Sequence, residues 1–322
     1  MESKDEPMRL ALTGCHSLIG HGVLRSLDRL GPVERVLVFD LLPPEVSDPR
    51  VEFHAVDLTR PGADAEMAEA MSASRVTTML HAAVLWDAVR DPGWAHELES
   101  VGTDYVLAAL LAAHVKRAVF TSSFVVYGVS HRLPVPITES APLLGSRTLP
   151  PFKDKVAAEE AVASFASAHP EISIAVLRFA ITLGRDLQRV ISRTLRRPVV
   201  PTLMGFDPAM QFLHPDDVVA AVLLCLRHDC RGAFNIAPQD ALPLSEVLSM
   251  GGRIPFPLPH FLAYPMVGLL WNTGLGDLHP SYLNLLRFSV VMDPSRARKA
   301  FGFVARSTRD TVAAFYGREV QP

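Results

Sequence analysis

The chain has 322 residues, 49% of them apolar, enough for one large α/β domain with a smaller lobe appended. A formal net charge of -3 gives no electrostatic basis for a nucleic-acid partner. Three cysteines, Cys15, Cys225 and Cys230, make neither a disulfide framework nor a C-x-x-C site, which suits a reducing cytoplasm; the short, charged residues 1–7 do not read as a signal peptide.

Along the chain, apolar runs at 9–13, 35–40, 51–56, 77–82 and 117–122 predict strands. They show little polar alternation, as expected where helices cover both faces of a parallel sheet. Helical patterns over 19–30, around 65–73 and over 98–114 fall between them, and this alternation predicts an α/β fold built on a Rossmann-type doubly wound parallel sheet. A helix over 155–169 is closed by Pro170, a buried strand over 172–179 follows, and after a helix over 216–227 the run 232–236 returns a strand. The predicted division is a dinucleotide-binding domain over 8–184, with return elements at about 213–237, and a smaller, irregular C-terminal substrate lobe of 185–212 and 238–317. In that lobe the apolar stretch 261–271 is well short of the ~20 residues that span a bilayer, and Pro265 interrupts it. It reads as part of the lobe, with a surface-lying segment in peripheral membrane contact as the alternative.

The first strand runs through Thr13 into Gly14 and a helix start at Gly20. A dinucleotide pyrophosphate needs unpaired backbone N–H groups and a helix dipole, and such a turn supplies both. Gly14 permits the tight turn and Gly20 permits close helix–strand packing, with Ile19 in the first turn of the helix. Ser17 holds the middle position usually taken by glycine, where its hydroxyl donates to a phosphate or its extra atoms crowd the site. Asp40 closes the second strand, where a carboxylate accepts from both adenosine ribose hydroxyls and repels a 2′-phosphate. Leu41 and Leu42 follow rather than arginines, which favours NAD over NADP; a capping or solvated Asp40 is the alternative. Asp57 and Leu58 end the third strand. His81, Ala82 and Ala83 end the fourth, where small side chains let a cofactor lie against the backbone, although His81 alone reads as a packed core histidine.

Together with Gly102, Thr103, Ser122, Ser123, Tyr127, Gly128, Lys155, Glu159, Arg178 and the stretch 212–217, these elements resemble the extended short-chain dehydrogenase/reductase family, the NAD-dependent epimerase/dehydratases, over about residues 8–317. The likeness is greatest to a divergent bacterial subgroup labelled UDP-glucose 4-epimerase-like. The resemblance implies NAD as cofactor and an oxidoreductase acting on a hydroxyl of a nucleotide-sugar or related small molecule. It implies Ser123 as the substrate-positioning serine and Lys155 as the lysine that holds the nicotinamide ribose. A homodimer is implied as well, through the alanine-rich helices over 101–114 and 156–168.

In that family a tyrosinate moves the hydroxyl proton, and a free tyrosine pKa of about 10 means the lysine must stabilise it. Here Pro151 stands at that position, and a proline cannot exchange protons. Tyr127 is the candidate replacement near the reacting centre, with packing as its alternative role. Tyr105 lies on a helix, and Tyr264, Tyr282 and Tyr316 have no predicted place beside Lys155; Lys153 is a further candidate or a solvated lysine at a helix start. Ile181 and Glu99 stand where the family often carries asparagines, the first of them near substrate phosphates. Arg185, Arg189, Arg193 and Arg196, recurring on one predicted helix face, partly compensate for Ile181 or form a solvated basic face. No closely paired Cys/His cluster suggests a metal. Three functions stay open: an NAD-dependent epimerase/dehydratase-like enzyme with a displaced acid/base, a catalytically silent NAD-binding sensor or assembly protein, and a dehydrogenase for a sterol- or lipid-like alcohol.

Overall fold

In the computed structural model, which describes residues 7–318, seven apolar runs form one wholly parallel sheet. They are β1 (Met8–Thr13), β2 (Val33–Asp40), β3 (Val51–Ala55), β4 (Thr78–His81), β5 (Arg117–Ser123), β6 (Ser173–Phe179) and β7 (Gly232–Ile236). The order across the sheet is β7-β6-β5-β4-β1-β2-β3, so strand order reverses between β1 and β4. This is the doubly wound Rossmann arrangement, and the crevice at that reversal, beyond the strand carboxyl ends, is where such sheets bind ligands.

Successive strand residues point to opposite faces. Leu10, Leu12, Val36 and Val38 enter one core, while Ala11, Leu37 and Phe39 enter the other, which is why these strands show no polar alternation. Helices α2 (Ala63–Ala73), α3 (Gly102–Ala112) and α4 (Lys153–Ala168) cover the second core. The first is covered by α1 (Leu18–Leu24) and α6 (Pro215–Arg227), with α5 (Val190–Arg196) lying between α4 and α6 in the chain. A Cβ on Gly22 would collide with Val219, so α1 and α6 sit in close contact.

Two predicted helices differ in form. The segment 19–30 divides: α1 ends at Leu24, and a 3-10 turn (Leu27–Leu30) is closed by Gly31 at φ +95°. The apolar stretch expected to be irregular is the helix α7 (His260–Asn272). Pro265 removes one helical hydrogen bond within it without ending it. In front of α7, Val199–Leu203 and Ile254–Leu258 pair as a parallel two-stranded ribbon, the rest of the lobe's scaffold.

A buried polar network fastens β5, β6, β7 and α4 to one another. Ser122 Oγ donates to Glu159 Oε2 at 2.7 Å, and Arg178 Nε donates to Glu159 Oε1 at 2.6 Å. Arg178 Nη1 donates to the Tyr127 hydroxyl at 2.8 Å, which donates onward to Asn235 Oδ1 at 2.7 Å. Removing one partner of a buried ion pair leaves the other charge uncompensated, typically at a cost of ~3–5 kcal/mol. Glu159→Ala is therefore expected to lower the denaturant midpoint far more than the double change Glu159→Met with Arg178→Met. Equal losses in the two variants, measured by equilibrium unfolding, would show that the charge is not what holds this junction.

Candidate functional site: a dinucleotide groove and a paired lysine

Gly14 adopts φ +76°, and a Cβ there would stand 2.5 Å from the Ala83 nitrogen. A Cβ on Gly20 would collide with the Gly14 carbonyl oxygen. Both positions are thus restricted to glycine by close backbone approach. Ser17 caps α1: its Oγ accepts from the Gly20 N–H at 3.0 Å and donates to the Gly14 carbonyl at 2.8 Å. The expectation of a hydroxyl donating to a phosphate is corrected here, because its hydrogen is spent on the Gly14 carbonyl, while Ser17 still lines the groove.

Asp40 stands at the end of β2 beside that turn. Its Oδ2 accepts from the Cys15 N–H at 2.8 Å and its Oδ1 from the Leu41 N–H at 2.7 Å. Each oxygen keeps lone-pair capacity for a further donor. Asp57 accepts from the Thr59 N–H and hydroxyl at 2.9 and 2.7 Å. Burial opposes its ionisation, yet those hydrogen bonds outweigh it and hold the carboxyl below the usual range. Gly14, Ser17, Asp40, Asp57, Leu58, Ala82 and Ala83 line one groove of about 280 Å³. Its floor is backbone that any Cβ at Gly14 would obstruct, and its wall is the carboxylate of Asp40. Those features fit the adenosine end of a dinucleotide.

Ile19 and His81 do not line this groove. The Ile19 side chain is fully buried in the core. His81 is buried too, with Nδ1 bonded to Thr13 Oγ1 at 2.8 Å and, among the described residues, no partner at Nε2. Burial, and then the charge of Lys155, push its pKa down to about 3, so the ring is neutral. It is a packed core histidine.

The lysine end is built by an irregular helix. Residues Pro92–His96 lead into a π-helical turn, Glu97–Val101, and then into α3. A π turn leaves backbone carbonyls out of register, and Thr103 Oγ1 satisfies that of Glu99 at 2.6 Å. The turn buries Glu99, whose two carboxylate oxygens accept from Lys155 Nζ at 3.0 and 2.8 Å. The Leu85 N–H donates to the same carboxylate. Both charged side chains are only 5% exposed. They border a small cavity with His81, Ser122 and Thr121. Ser123 lies at the end of β5, and its Oγ caps the following turn by accepting from the Val125 N–H at 3.4 Å. One residue before the lysine, Asp154 bonds His96 Nδ1 at 2.8 Å.

Pro151 occupies a 3-10 turn, Pro150–Phe152, that leads into α4, where Lys153 is exposed. Tyr127 does not replace the absent hydroxyl. It is fully buried, both of its hydrogen bonds belong to the network described above, and burial pushes its pKa up to about 12. The tyrosine brought to this place is Tyr282, from the 3-10 segment Pro280–Leu286. Its ring meets Phe152 edge-on with centroids 5.9 Å apart, and its hydroxyl accepts from the Ala88 N–H at 3.1 Å. One residue before Ala88, the Asp87 carboxyl pKa is pushed upward by burial. Arg189 stacks on Trp86 with its guanidinium carbon 4.5 Å from the ring centre, and Trp86 packs on Phe179, the β6 neighbour of Ser123. This packing sets Tyr282 against the turn that leads into α4, and it lines a different cavity from the one that Lys155 borders.

The single arginine face is corrected as well. Arg185 and Arg189 precede α5, Arg193 approaches Asp277 at 3.4 Å, and Arg196 donates to the carbonyls of Gly184 and Leu187, both at 3.2 Å. Ile181 is buried in a two-residue parallel pairing with Phe212 and Leu213.

With this geometry established, comparison with known proteins places the chain. The model of the NAD dependent epimerase/dehydratase family matches residues 10–237, and the chain belongs to that family. An uncharacterized protein of Mycobacterium tuberculosis is 30% identical over 326 aligned residues, covering 98% of this chain and 84% of that protein. The same fold recurs in the dTDP-glucose 4,6-dehydratase DesIV of Streptomyces venezuelae, a structure with NAD bound, with a TM-score of 0.73 at 19% identity over 96% of each chain. It recurs again in WbmG of Bordetella bronchiseptica, a complex with NAD and UDP, with a TM-score of 0.69 at 20% identity over 98% of this chain and 95% of that one.

The neutral, buried His81 has a consequence for stability. A histidine with a folded pKa of about 3 contributes stability above its unfolded value near 6.5, and that contribution is lost progressively as pH falls toward 3. Between pH 7 and pH 5 this one group is expected to remove ~2 kcal/mol of unfolding free energy. Denaturant titrations of wild type and His81→Gln at the two pH values check it. The pH difference should shrink in the variant, and an unchanged difference would reject the assignment.

Proposed function

We propose that this chain is an NAD-dependent oxidoreductase of epimerase/dehydratase type, acting on a hydroxyl-bearing carbon of a nucleotide-sugar or related small molecule, with its proton carrier displaced from position 151. The observation that carries this reading is the groove that joins Gly14, Asp40, Asp57, Ala82 and Ala83 at the strand ends and shares Val84 with the cavity that Lys155 borders. Asp40 would hold the adenosine ribose, and its charge disfavours a 2′-phosphate. The next side chains, Leu41 and Leu42, are 63% and 64% exposed and bring no cation. Bound NAD would supply hydride transfer at the substrate carbon.

The chain's own residues must then handle the hydroxyl proton. Ser123, at the end of β5, would orient the substrate oxygen with the hydroxyl hydrogen that its bond to the Val125 N–H leaves free. Asp87 takes and returns the proton at its carboxylate, and Tyr282, kept protonated by burial, braces its loop by accepting from the Ala88 N–H. Arg189, held against Trp86, lies close enough to Asp87 to favour its ionised form. Glu99 offsets the charge of Lys155, so the ammonium binds the ribose only where its hydroxyls compete with that carboxylate. This pairing favours a second reading, NAD binding without turnover.

Calorimetric titration tests the first step: NAD is expected to bind and NADP to bind far more weakly, with Asp40→Ala weakening NAD about tenfold or more. Failure of wild type to bind either nucleotide overturns the proposal. For the chemistry, UDP- and dTDP-sugars are screened for product formation. Asp87→Asn is expected to lower kcat by ~10²–10⁴-fold with NAD affinity unchanged, and Tyr282→Phe by less. NAD binding with no turnover of any substrate would leave the silent reading standing.

A further inference from the structure

The lobe carries an apolar face that no described residue covers. Helix α7 buries only Ala263, and Phe261, Leu262 and Leu269 stand 67%, 54% and 64% exposed along it. Just beyond its end Leu275 is 81% exposed, and Ile254 and Phe256 extend the face across the adjoining ribbon. Contiguous apolar surface of this kind marks a contact site.

In the segments that build it, cations outnumber carboxylates. Between Glu246 and Asp277 the sequence has no acidic residue, while Arg253 and His260 lie in that interval. Between Asp186 and Asp207 there are four arginines and again no acid; Arg193 and Arg197 are exposed, whereas Arg189 turns to Trp86 and Arg196 to backbone carbonyls. Arg193 and Arg197 border a cavity of about 250 Å³ beneath α7, lined otherwise by side chains such as Met266, Leu270 and Leu286. The carboxylate in that lining is Asp277, which approaches Arg193 at 3.4 Å.

We propose that this face docks on an anionic lipid bilayer. The apolar side chains of α7 enter the boundary between headgroups and acyl chains, and the surrounding arginines meet lipid phosphates. A second copy of the chain packed on the same face about a two-fold axis would bring these arginines together, which opposes self-association. No helix among the described residues is long and apolar enough to cross a membrane, so α7 lies along the surface. Docking also reaches the candidate active site. Arg90 stacks on Trp271 at 4.7 Å and donates to the Trp271 carbonyl at 2.8 Å, tying the end of α7 to the loop that carries Trp86 and Asp87.

Flotation of the full chain with vesicles tests the proposal, independently of nucleotide binding. Vesicles containing phosphatidylglycerol are expected to carry the protein upward, whereas pure phosphatidylcholine vesicles, or ~1 M salt, should weaken binding at least about tenfold. Leu269→Asp and the pair Arg193→Glu with Arg197→Glu should each abolish flotation while an unchanged thermal melt reports an intact fold. No flotation with anionic vesicles, or flotation unaffected by Leu269→Asp, overturns the proposal. A dimer in light scattering that Leu269→Asp dissociates, with no vesicle binding, assigns the face to a second copy and overturns it equally.

Discussion

The contact between Glu99 and Lys155 is the constraint around which the site is arranged. Moving a carboxylate and an ammonium out of water costs several kcal/mol for each ion, recovered only through tight mutual contact and saturated hydrogen bonding. The chain meets that requirement with two oxygens on one nitrogen and a backbone N–H from Leu85 on the same carboxylate. The π-helical turn before α3 buries Glu99 against α4, and Thr103 repairs the backbone carbonyl that the turn exposes. Position 155 is therefore a lysine whose charge is already answered from within the protein. Any nucleotide ribose has to compete for it, and this sets the chain apart from the pattern its sequence resembles.

A second buried pair, Glu159 with Arg178, lies one helical turn further along α4 and has a structural task. It draws Ser122, Tyr127 and Asn235 into one network and so consumes the hydroxyl that sequence reasoning had offered as a replacement acid/base. Two carboxylates on neighbouring positions of the architecture thus divide the work. One sets the charge at Lys155, the other locks the sheet beneath it. Tyr282 and Arg189 then come against Ala88 and Trp86 of the loop that follows β4.

The groove was largely legible in the sequence because its requirements are local. Gly14 and Gly20 are demanded by backbone approach within a few residues, and Asp40 ends a strand whose length follows from its apolar run. The strands could be placed because alternate residues feed two cores and the runs stay apolar throughout. Ser17 was placed correctly in the turn, but its hydroxyl had three available partners, and choosing among them requires the helix geometry. His81 sits in line with the other strand-end residues, yet its direction depends on Thr13 in the neighbouring strand.

The sequence by itself determined the doubly wound sheet, the glycine turn, the carboxylate at Asp40 and the absence of a proton carrier at Pro151. These follow from side-chain size, periodicity and chemistry at single positions. Only the tertiary structure decided where Glu99, Tyr127, Tyr282 and the apolar residues of α7 spend their surfaces. Each depends on which distant element packs against it: α4 for Glu99, β6 and β7 for Tyr127, the turn at Phe152 for Tyr282, and no described element for the outer face of α7. Burial and hydrogen bonding are properties of such meetings, and linear spacing does not encode them until the chain has closed on itself.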